Sequence, residues 1–323
     1  MIALVLTAGL GTRLRPLTYV RAKAAVPVNG EALARRVLRW LARQGIRETV
    51  LNLHHHPASI GAVIGDGADL GVRVRYSWEQ PVLGSAGGPR HALPLVTDRT
   101  RGGAQTFLIV NGDTLTELDV EAIARDHRQS GALVTMAVIP NPRPEKYGGV
   151  VLDGSSGGGG AIREFTRPSP GVESYHFIGI QVADARTFET LADGVPAESV
   201  NALYPALMRE RPGSIRAFVC DAPFRDIGTA ADYLDTSLAL ARTEENRLVA
   251  PTATIHTSAV VLRTAVWDDV TVGAGARLTD CVVADGARIP AGAVFTRKAI
   301  VPSQGRQARD DETIAGDLLI KDI

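Results

Sequence analysis

The chain has 323 residues, more than the roughly 150 of an average domain, so two domains are expected and a single small module is excluded. Its 35 Lys plus Arg balance 35 Asp plus Glu, so no whole-molecule field draws in nucleic acid or an acidic membrane surface, and any anion site must be local. Hydrophobic residues make up 45%, too many for a disordered chain. Cys220 and Cys281 are too few for a disulfide framework; both read as reduced core thiols of a cytoplasmic protein, and they argue against zinc.

The apolar start has no basic residues ahead of it and runs straight into Gly11-Thr12-Arg13, so Ile2 to Leu6 reads as a buried first strand rather than a signal peptide. No uncharged apolar stretch reaches the ~18 residues that a membrane span needs. Glu31 to Gln44 places Leu33, Val37, Trp40 and Leu41 at helical spacing, and Gly45 ends the run as a left-handed cap would. Strands follow at Thr49 to Leu53, Val72 to Tyr76 and Phe107 to Val110, with helices near Ser85 to Leu93 and Val120 to Ser130. Strands alternating with helices predict a mixed, mostly parallel, Rossmann-like α/β sheet over residues 1–245. After Ala132 to Ile139 the rhythm changes: Gly149 to Leu152, Ala161 to Thr166 and Tyr175 to Val182 follow one another without long helices, the half expected to carry a second ligand. Gly154 to Gly160 is too rich in glycine for a regular element and reads as a flexible hairpin tip. Trp40, Trp78 and Trp267 read as core or interface residues.

Beyond Pro251 small and apolar residues recur every six positions: Val260, Val266, Val272, Leu278 and Ala284 in one row, Val270, Ala276, Val282 and Val294 in another, which Arg288 interrupts. With the turns at Gly273 to Gly275, Gly286-Ala287 and Gly292-Ala293, this period predicts a short left-handed parallel β-helix over 251–300. So short a coil must pack on the first domain or on another subunit, which points to a homo-oligomer formed through it. The charged residues 301–323 read as a loose tail.

The first strand ends in Leu6-Thr7-Ala8-Gly9-Leu10-Gly11-Thr12-Arg13-Leu14-Arg15-Pro16-Leu17-Thr18, with Lys23 and Pro27 a little further on. Gly9 and Gly11 let the backbone turn sharply and offer bare amides to a phosphate chain, while Arg13, Arg15 and Lys23 add cationic donors. The string is neither a Walker A loop, which needs Gly-Lys-Ser/Thr, nor a dinucleotide fingerprint, which needs a third glycine opening a helix. It resembles the signature of the sugar-1-phosphate nucleotidylyltransferases, specifically their mannose-1-phosphate guanylyltransferase-like branch. Thr7 stands where that family usually has alanine, and Ala22-Lys23-Ala24 where Pro-Lys-Pro or Pro-Lys-Ala is common. Further segments match in the family's order: Leu83-Gly84-Ser85-Ala86-Gly87-Gly88 is similar to its base-binding loop, Val110-Asn111-Gly112-Asp113 to its Gly-Asp metal motif, Tyr147-Gly148-Gly149-Val150 to the segment near the sugar, and Asp226-Ile227-Gly228-Thr229 to its second Asp motif. Phe177-Ile178-Gly179-Ile180 departs from Asn-Ala-Gly-Ile, and Phe165-Thr166-Arg167-Pro168 from Phe-x-Glu-Lys-Pro, so the sugar pocket is where the match is thinnest.

The resemblance implies a nucleotidyltransferase that condenses an NTP with a sugar 1-phosphate to an NDP-sugar and pyrophosphate, with Mg²⁺ as cofactor. GTP with mannose 1-phosphate, or a related hexose or heptose phosphate, leads; thymidylyl or uridylyl transfer, and a regulatory subunit without turnover, are the alternatives. It implies that Arg13 holds the β and γ phosphates and Lys23 the α phosphate, that Asp113 and Asp226 ligate the metal, and that Ala8, Gly9, Gly11, Thr12, Gly84, Ser85 and Asn111 line the nucleotide. Tyr147, Gly148 and Arg167 would meet the sugar phosphate, Arg167 in place of the family's lysine. Gln80, beside Glu79 and before Pro81, has two readings, an amide that reads the base edge or an exposed loop residue. His54-His55-His56-Pro57 reads as loop packing, because consecutive strand-end histidines cannot all face one ion. His256, the coil's histidine, lies on the first hexad, which argues for a structural coil rather than an acyltransferase site.

Overall fold

A computed structural model describes residues 1–97, 105–154, 159–169, 171 and 173–323. The hairpin tip expected over 154–160 falls largely outside the described residues. The chain forms two compact units, the first comprising Met1–Gly9, Val37–Pro57 and Ile64–Arg225, the second Leu10–Arg36, Ala58–Val63 and Asp226–Ile323.

The first unit is built on a nine-stranded sheet. Its strands are β1 (Ala3–Leu6), β2 (Glu48–Leu53), β3 (Arg73–Trp78), β4 (Thr106–Asn111), β5 (Val134–Pro140), β6 (Gly149–Leu152), β7 (Gly159–Thr166), β8 (Tyr175–Asp184) and β9 (Ile215–Val219). Their spatial order is β3-β2-β1-β4-β8-β5-β9-β7-β6. The first four are mutually parallel, as β-branched runs separated by helices require; β8 enters antiparallel between β4 and β5, and β9 lies parallel to β5. Fully buried Leu4, Val50, Phe107, Ile109, Val134 and Met136 form the centre of the core. The chain leaves β1 toward β2 and β3 on one side and returns to β4 on the other, so the strand order reverses between β1 and β4. Beyond the carboxyl ends of such a pair lies the crevice in which open α/β sheets bind ligands.

The helices are α1 (Leu33–Arg43), α2 (Pro57–Ile64), α3 (Gly84–Val96), α4 (Val120–Ser130), α5 (Arg186–Glu189), α6 (Tyr204–Glu210) and α7 (Ala230–Thr243). Caps set their ends. Asp119 accepts from the amides of Glu121 and Ala122 at the start of α4, and Thr229 and Asp232 form a reciprocal capping box at the start of α7. Gly45 is left-handed after α1, as expected. Helix α2 lies between two expected strands where no helix was placed, and Trp78, expected in a core or interface position, is 51% exposed because it ends the outermost parallel strand.

In the second unit short parallel strands form three stacks: Thr254–Ile255, Thr271–Val272 and Arg288–Ile289; Val260–Leu262, Arg277–Thr279 and Val294–Thr296; Ala265–Val266, Val282–Val283 and Lys298–Pro302. Thr254 pairs with Thr271 and Thr271 with Arg288, Val260 with Arg277 and Arg277 with Val294, so the register advances one residue less per turn than three hexads would. Left-handed Arg263, Asp280 and Arg297 mark the corner of the shorter side, with φ of 44°, 53° and 53°. The six-residue rows therefore drift out of phase. Val266, Val270, Val272, Ala276 and Leu278 join the unit's core, where Val283 rather than its buried neighbour Val282 packs, whereas Val260 and Val294 are 44% and 66% exposed, and Ile289 rather than Arg288 takes the inner place.

Residues 301–323 are not a loose tail. Leu318–Asp322 pairs antiparallel with Lys298–Pro302, and Glu312–Ala315 pairs with Leu318–Asp322. The buried run Leu318-Leu319-Ile320 supplies the driving force that the surrounding charge concealed. Leu319→Ala should lower stability by about 2–4 kcal/mol, read as an earlier urea midpoint; an unchanged midpoint would return this segment to the status of a tail.

Candidate active site

Strand β1 delivers the glycine turn. Thr7 and Ala8 are buried, and the Asn52 side chain on β2 accepts from both of their amides, at 2.5 Å from Thr7 and 3.2 Å from Ala8, while the Thr7 hydroxyl donates to the Asn52 carbonyl. The amide of Ala8, expected to face the nucleotide, is thus already bonded. Gly9 is the first exposed residue of the turn.

In the second unit Gly11 adopts φ 58° and leads into the 3₁₀ turn Thr12–Leu14; the Thr18 hydroxyl donates to its carbonyl at 3.0 Å. A Cβ on Gly11 would lie 2.7 Å from the Thr18 methyl and 3.3 Å from Cβ of Lys23, so glycine lets the turn close on these residues. Thr12 and Arg13 are exposed, and Lys23 is half-buried at the head of the 3₁₀ turn Lys23–Ala25. Arg13 and Asp226 crowd onto Gly228, whose Cβ position lies 2.9 Å from Asp226 Oδ2 and 3.2 Å from Arg13 Nη1. These are the predicted residues that the second unit brings together.

The cationic loop is braced by residues far along the chain. Arg21 donates to both oxygens of Asp285 at 2.5 and 2.8 Å and to Asp268 at 2.6 Å, with its guanidinium 5.7 Å from the Trp267 ring centroid. Burial pushes the Asp285 carboxyl above its ordinary range, and Arg21 opposes that rise. The Tyr19 hydroxyl donates to Glu312 at 3.0 Å, Arg306 donates to the Tyr19 carbonyl, and Trp267 Nε1 donates to the Tyr233 hydroxyl, which in turn donates to the Pro27 carbonyl. Sequence reasoning missed all of these. Arg21→Ala would leave two carboxylates facing each other without their cation and should cost on the order of 3 kcal/mol, measured by denaturant unfolding, with Arg21→Lys recovering part of it.

In the first unit Leu83 to Gly88 forms the entry to α3, consistent with the helix expected near Ser85 to Leu93. The Ala197 carbonyl accepts from the amides of Ala86 and Gly87 at 2.9 and 3.1 Å, because the first amides of a helix have no partner within it. Ser85 donates to Glu198 at 2.8 Å and accepts from the Ser199 amide at 2.9 Å, so its hydroxyl is committed to this cover rather than open to a base. Gly84 is left-handed beneath Glu198. Gln80 is exposed, whereas Glu79 is buried, its carboxyl accepting from Asn52 Nδ2 at 2.7 Å and from the Leu83 amide at 2.8 Å. His54 Nδ1 lies 2.9 Å from the Glu79 carbonyl, and the rings of His55 and His56 meet edge to face.

Asn111 and Asp113, both half-buried, follow the end of β4, the strand paired with β1 through Leu6 and Asn111. On the far half of the sheet a cavity of about 760 Å³ brings together Gly148, Thr166, Arg167, His176 and Phe177. Phe177 occupies a wall position where the sequence signalled a missing amide. Tyr147 stands beside it, its ring tilted against His176 at 4.3 Å and edge-on to Phe224 at 6.0 Å. Both ring nitrogens of His176 are buried. Burial depresses its pKa from 6.5 to about 4, with the nearby Gly148 backbone opposing the shift. The imidazole is therefore neutral at pH 7. Between pH 6.5 and about 4 the unfolded chain binds the proton more readily than the folded one, so stability falls as pH drops through this window. His176→Phe should flatten that fall in a pH series of thermal melts.

Among the described residues no three His, Cys, Asp or Glu side chains converge into a metal-sized group, and no helix is long and apolar enough to cross a membrane. The two cysteines are unpaired, Cys281 buried and Cys220 half-buried.

The family model for nucleotidyl transferases matches residues 2–243. The mannose-1-phosphate guanylyltransferase of Mycobacterium tuberculosis is 29% identical over 91% of this chain and 83% of its own length. The UTP–glucose-1-phosphate uridylyltransferase of Synechocystis sp. is 28% identical over 72% of this chain and 61% of its own length. Among solved structures, HddC from Yersinia pseudotuberculosis complexed with GMP-PN superimposes with a TM-score of 0.61 at 20% identity, covering 74% of this chain and 99% of that one. A glycine turn at a sheet's reversal point and a family match spanning the whole sheet lead to one conclusion: the chain belongs to the nucleotidyl transferase family.

Proposed function

We propose that the protein transfers a guanylyl group from GTP to mannose 1-phosphate, giving GDP-mannose and pyrophosphate. The observation that carries the reading is the Gly9–Lys23 segment, which presents exposed Gly9, Thr12 and Arg13 immediately after a central parallel strand. The guanylyltransferase of Mycobacterium tuberculosis, matched over 91% of this chain and 83% of its own length, supports this donor and acceptor.

A sugar phosphate with a second pKa near ~6 is largely dianionic at neutral pH, so its oxygen attacks the α phosphorus without a general base. Catalysis then rests on positioning and on neutralising charge as pyrophosphate departs. Arg13 binds the β and γ phosphates and takes up the leaving-group charge. Lys23 holds the α phosphate, with Gly9, Gly11 and Thr12 lining the chain. Asn111, Gly84 and Gln80 are assigned to the nucleoside, Gln80 because its side chain is exposed. Tyr147, Gly148 and Arg167 are assigned to the acceptor, with the Arg167 guanidinium on its phosphate.

Asp113 and Asp226 each offer a hard carboxylate oxygen at the end of a short motif, the donor chemistry Mg²⁺ takes, and phosphate oxygens and water would complete its shell. When bound, the ion would screen the triphosphate charge. The three strand stacks fit a left-handed parallel β-helix following a catalytic domain over 1–245. A cytoplasmic homo-oligomer joined through that coil completes the reading.

Pyrophosphate release should be greatest with GTP and mannose 1-phosphate in a panel of four NTPs and several sugar 1-phosphates. Arg13→Ala should lower kcat about 10²–10³-fold. A preference for UTP or dTTP with glucose 1-phosphate would move the protein to that specificity, and no release from any pair with folded protein and Mg²⁺ would overturn the enzyme reading.

A further inference from the structure

We infer that Asn52, a residue outside every signature motif, is a positioning residue that together with Glu79 fixes the phosphate turn relative to the turn entering α3. Asn52 sits inside β2 between Leu51 and Leu53 and is 3% exposed, and Glu79 follows β3 at 1% exposed. Two polar side chains in an apolar layer are costly unless every hydrogen-bonding atom finds a partner. Here each does. Asn52 Oδ1 accepts from the amides of Thr7 and Ala8, Asn52 Nδ2 donates to Glu79 Oε1, and Glu79 Oε2 accepts from the Leu83 amide. The amide orientation follows from the partners, since the flipped form would set donors against donors and the carbonyl against the carboxyl.

The series therefore runs from the two amides before Gly9 to the amide before Gly84. One side chain must accept at one end and donate at the other, which an amide does and neither aspartate nor leucine does. Helix α3 closes over the pair: a Cβ on Gly88 would lie 2.6 Å from Glu79 Oε1 and 3.0 Å from Asn52 Nδ2, so the contact is sealed by a residue with no side chain. With its partners fixed on β1, β2 and β3, the pair transmits the spacing of the sheet to the two turns. The inference rests on the proposed reading, in which these turns hold the two ends of the nucleotide.

The test is an exchange of the two functional groups. Asn52→Asp faces one carboxyl with another and should raise the KM for the NTP about tenfold or more while the KM for the sugar phosphate stays within about twofold. Glu79→Gln alone sets an NH₂ against either Asn52 Nδ2 or the Leu83 amide and should impair in the same direction. The double variant N52D/E79Q restores every pairing, because the new glutamine donates to the new aspartate and accepts from Leu83, while the aspartate's other oxygen still accepts from Thr7 and Ala8. Its NTP KM should return to within about threefold of the parent, and its melting temperature should exceed that of both single variants. A double variant no better than Asn52→Asp in either measure, or an Asn52→Asp protein with unchanged NTP KM, would overturn the inference. Where a single variant fails to fold, the melting temperature of the double decides. Inactivity of the parent with every NTP and sugar phosphate would instead fail the functional reading, and the melting temperatures would still judge the pairing.

Discussion

Strands β1 and β4 run side by side in the same direction, yet the chain leaves β1 away from β4 and returns to it only after two further strands. That reversal leaves no crossover connection covering the carboxyl ends of the pair. Three features of the first unit lie at this end of the sheet: the Thr7–Gly9 turn after β1, Asn111-Gly112-Asp113 after β4, and the start of β8, where Phe177 and His176 border the cavity with Gly148 and Arg167. The location follows from right-handed parallel connections before any side chain is considered, and the side chains decide only what the crevice can hold.

The second unit meets a different constraint, that of keeping several cations close together on a short loop. Arg13, Arg15, Arg21 and Lys23 fall within eleven residues of a chain whose formal charge is zero. Left alone, such a loop spreads by repulsion and by side-chain entropy. Anchoring counters this: Arg21 is held by Asp268 and Asp285 over the Trp267 ring, and Tyr19 is held by Glu312. Arg13 stays exposed. The strands after the coil take part in this bracing through Glu312, which gives residues 301–323 a structural reason to be ordered.

Much of this was legible from the order of residues, and what was not has identifiable causes. Periodicity placed β1, β4, α1 and α4 to within about two residues, because each element's burial pattern is set by neighbours close in sequence. Side-chain partners separated by 264 positions, as Arg21 and Asp285 are, leave no local trace. The six-residue period beyond Pro251 was visible but drifts, since paired strands recur one residue short of three hexads, with left-handed Arg263, Asp280 and Arg297 at equivalent places, and a strict hexad count cannot register a repeated slip. The helix expected near Ser85 to Leu93 begins at Gly84, where Ala197, more than a hundred residues on, supplies an acceptor that the sequence does not reveal. Asn52 had one available signal, a single amide inside the apolar run Val50-Leu51-Asn52-Leu53.

The bonding of Thr7 and Ala8 changes how a phosphate could be held. In a P-loop, successive free amides wrap the anion and cations are secondary. Here the two amides ahead of Gly9 are used inside the sheet, so the backbone contribution begins only where the chain has already turned outward. Under the proposed reading, a turn whose first two amides are bonded within the sheet relies on guanidinium and ammonium groups for charge, and Arg and Lys are dense in the residues directly after it. Gly11 has a geometric part as well: its carbonyl accepts from Thr18 and its bare Cα admits Thr18 and Lys23, so the glycine shapes the loop that carries the cations. The same string of residues thus divides its work, with β1 and Asn52 fixing where the turn starts and the second unit fixing where its charges stand.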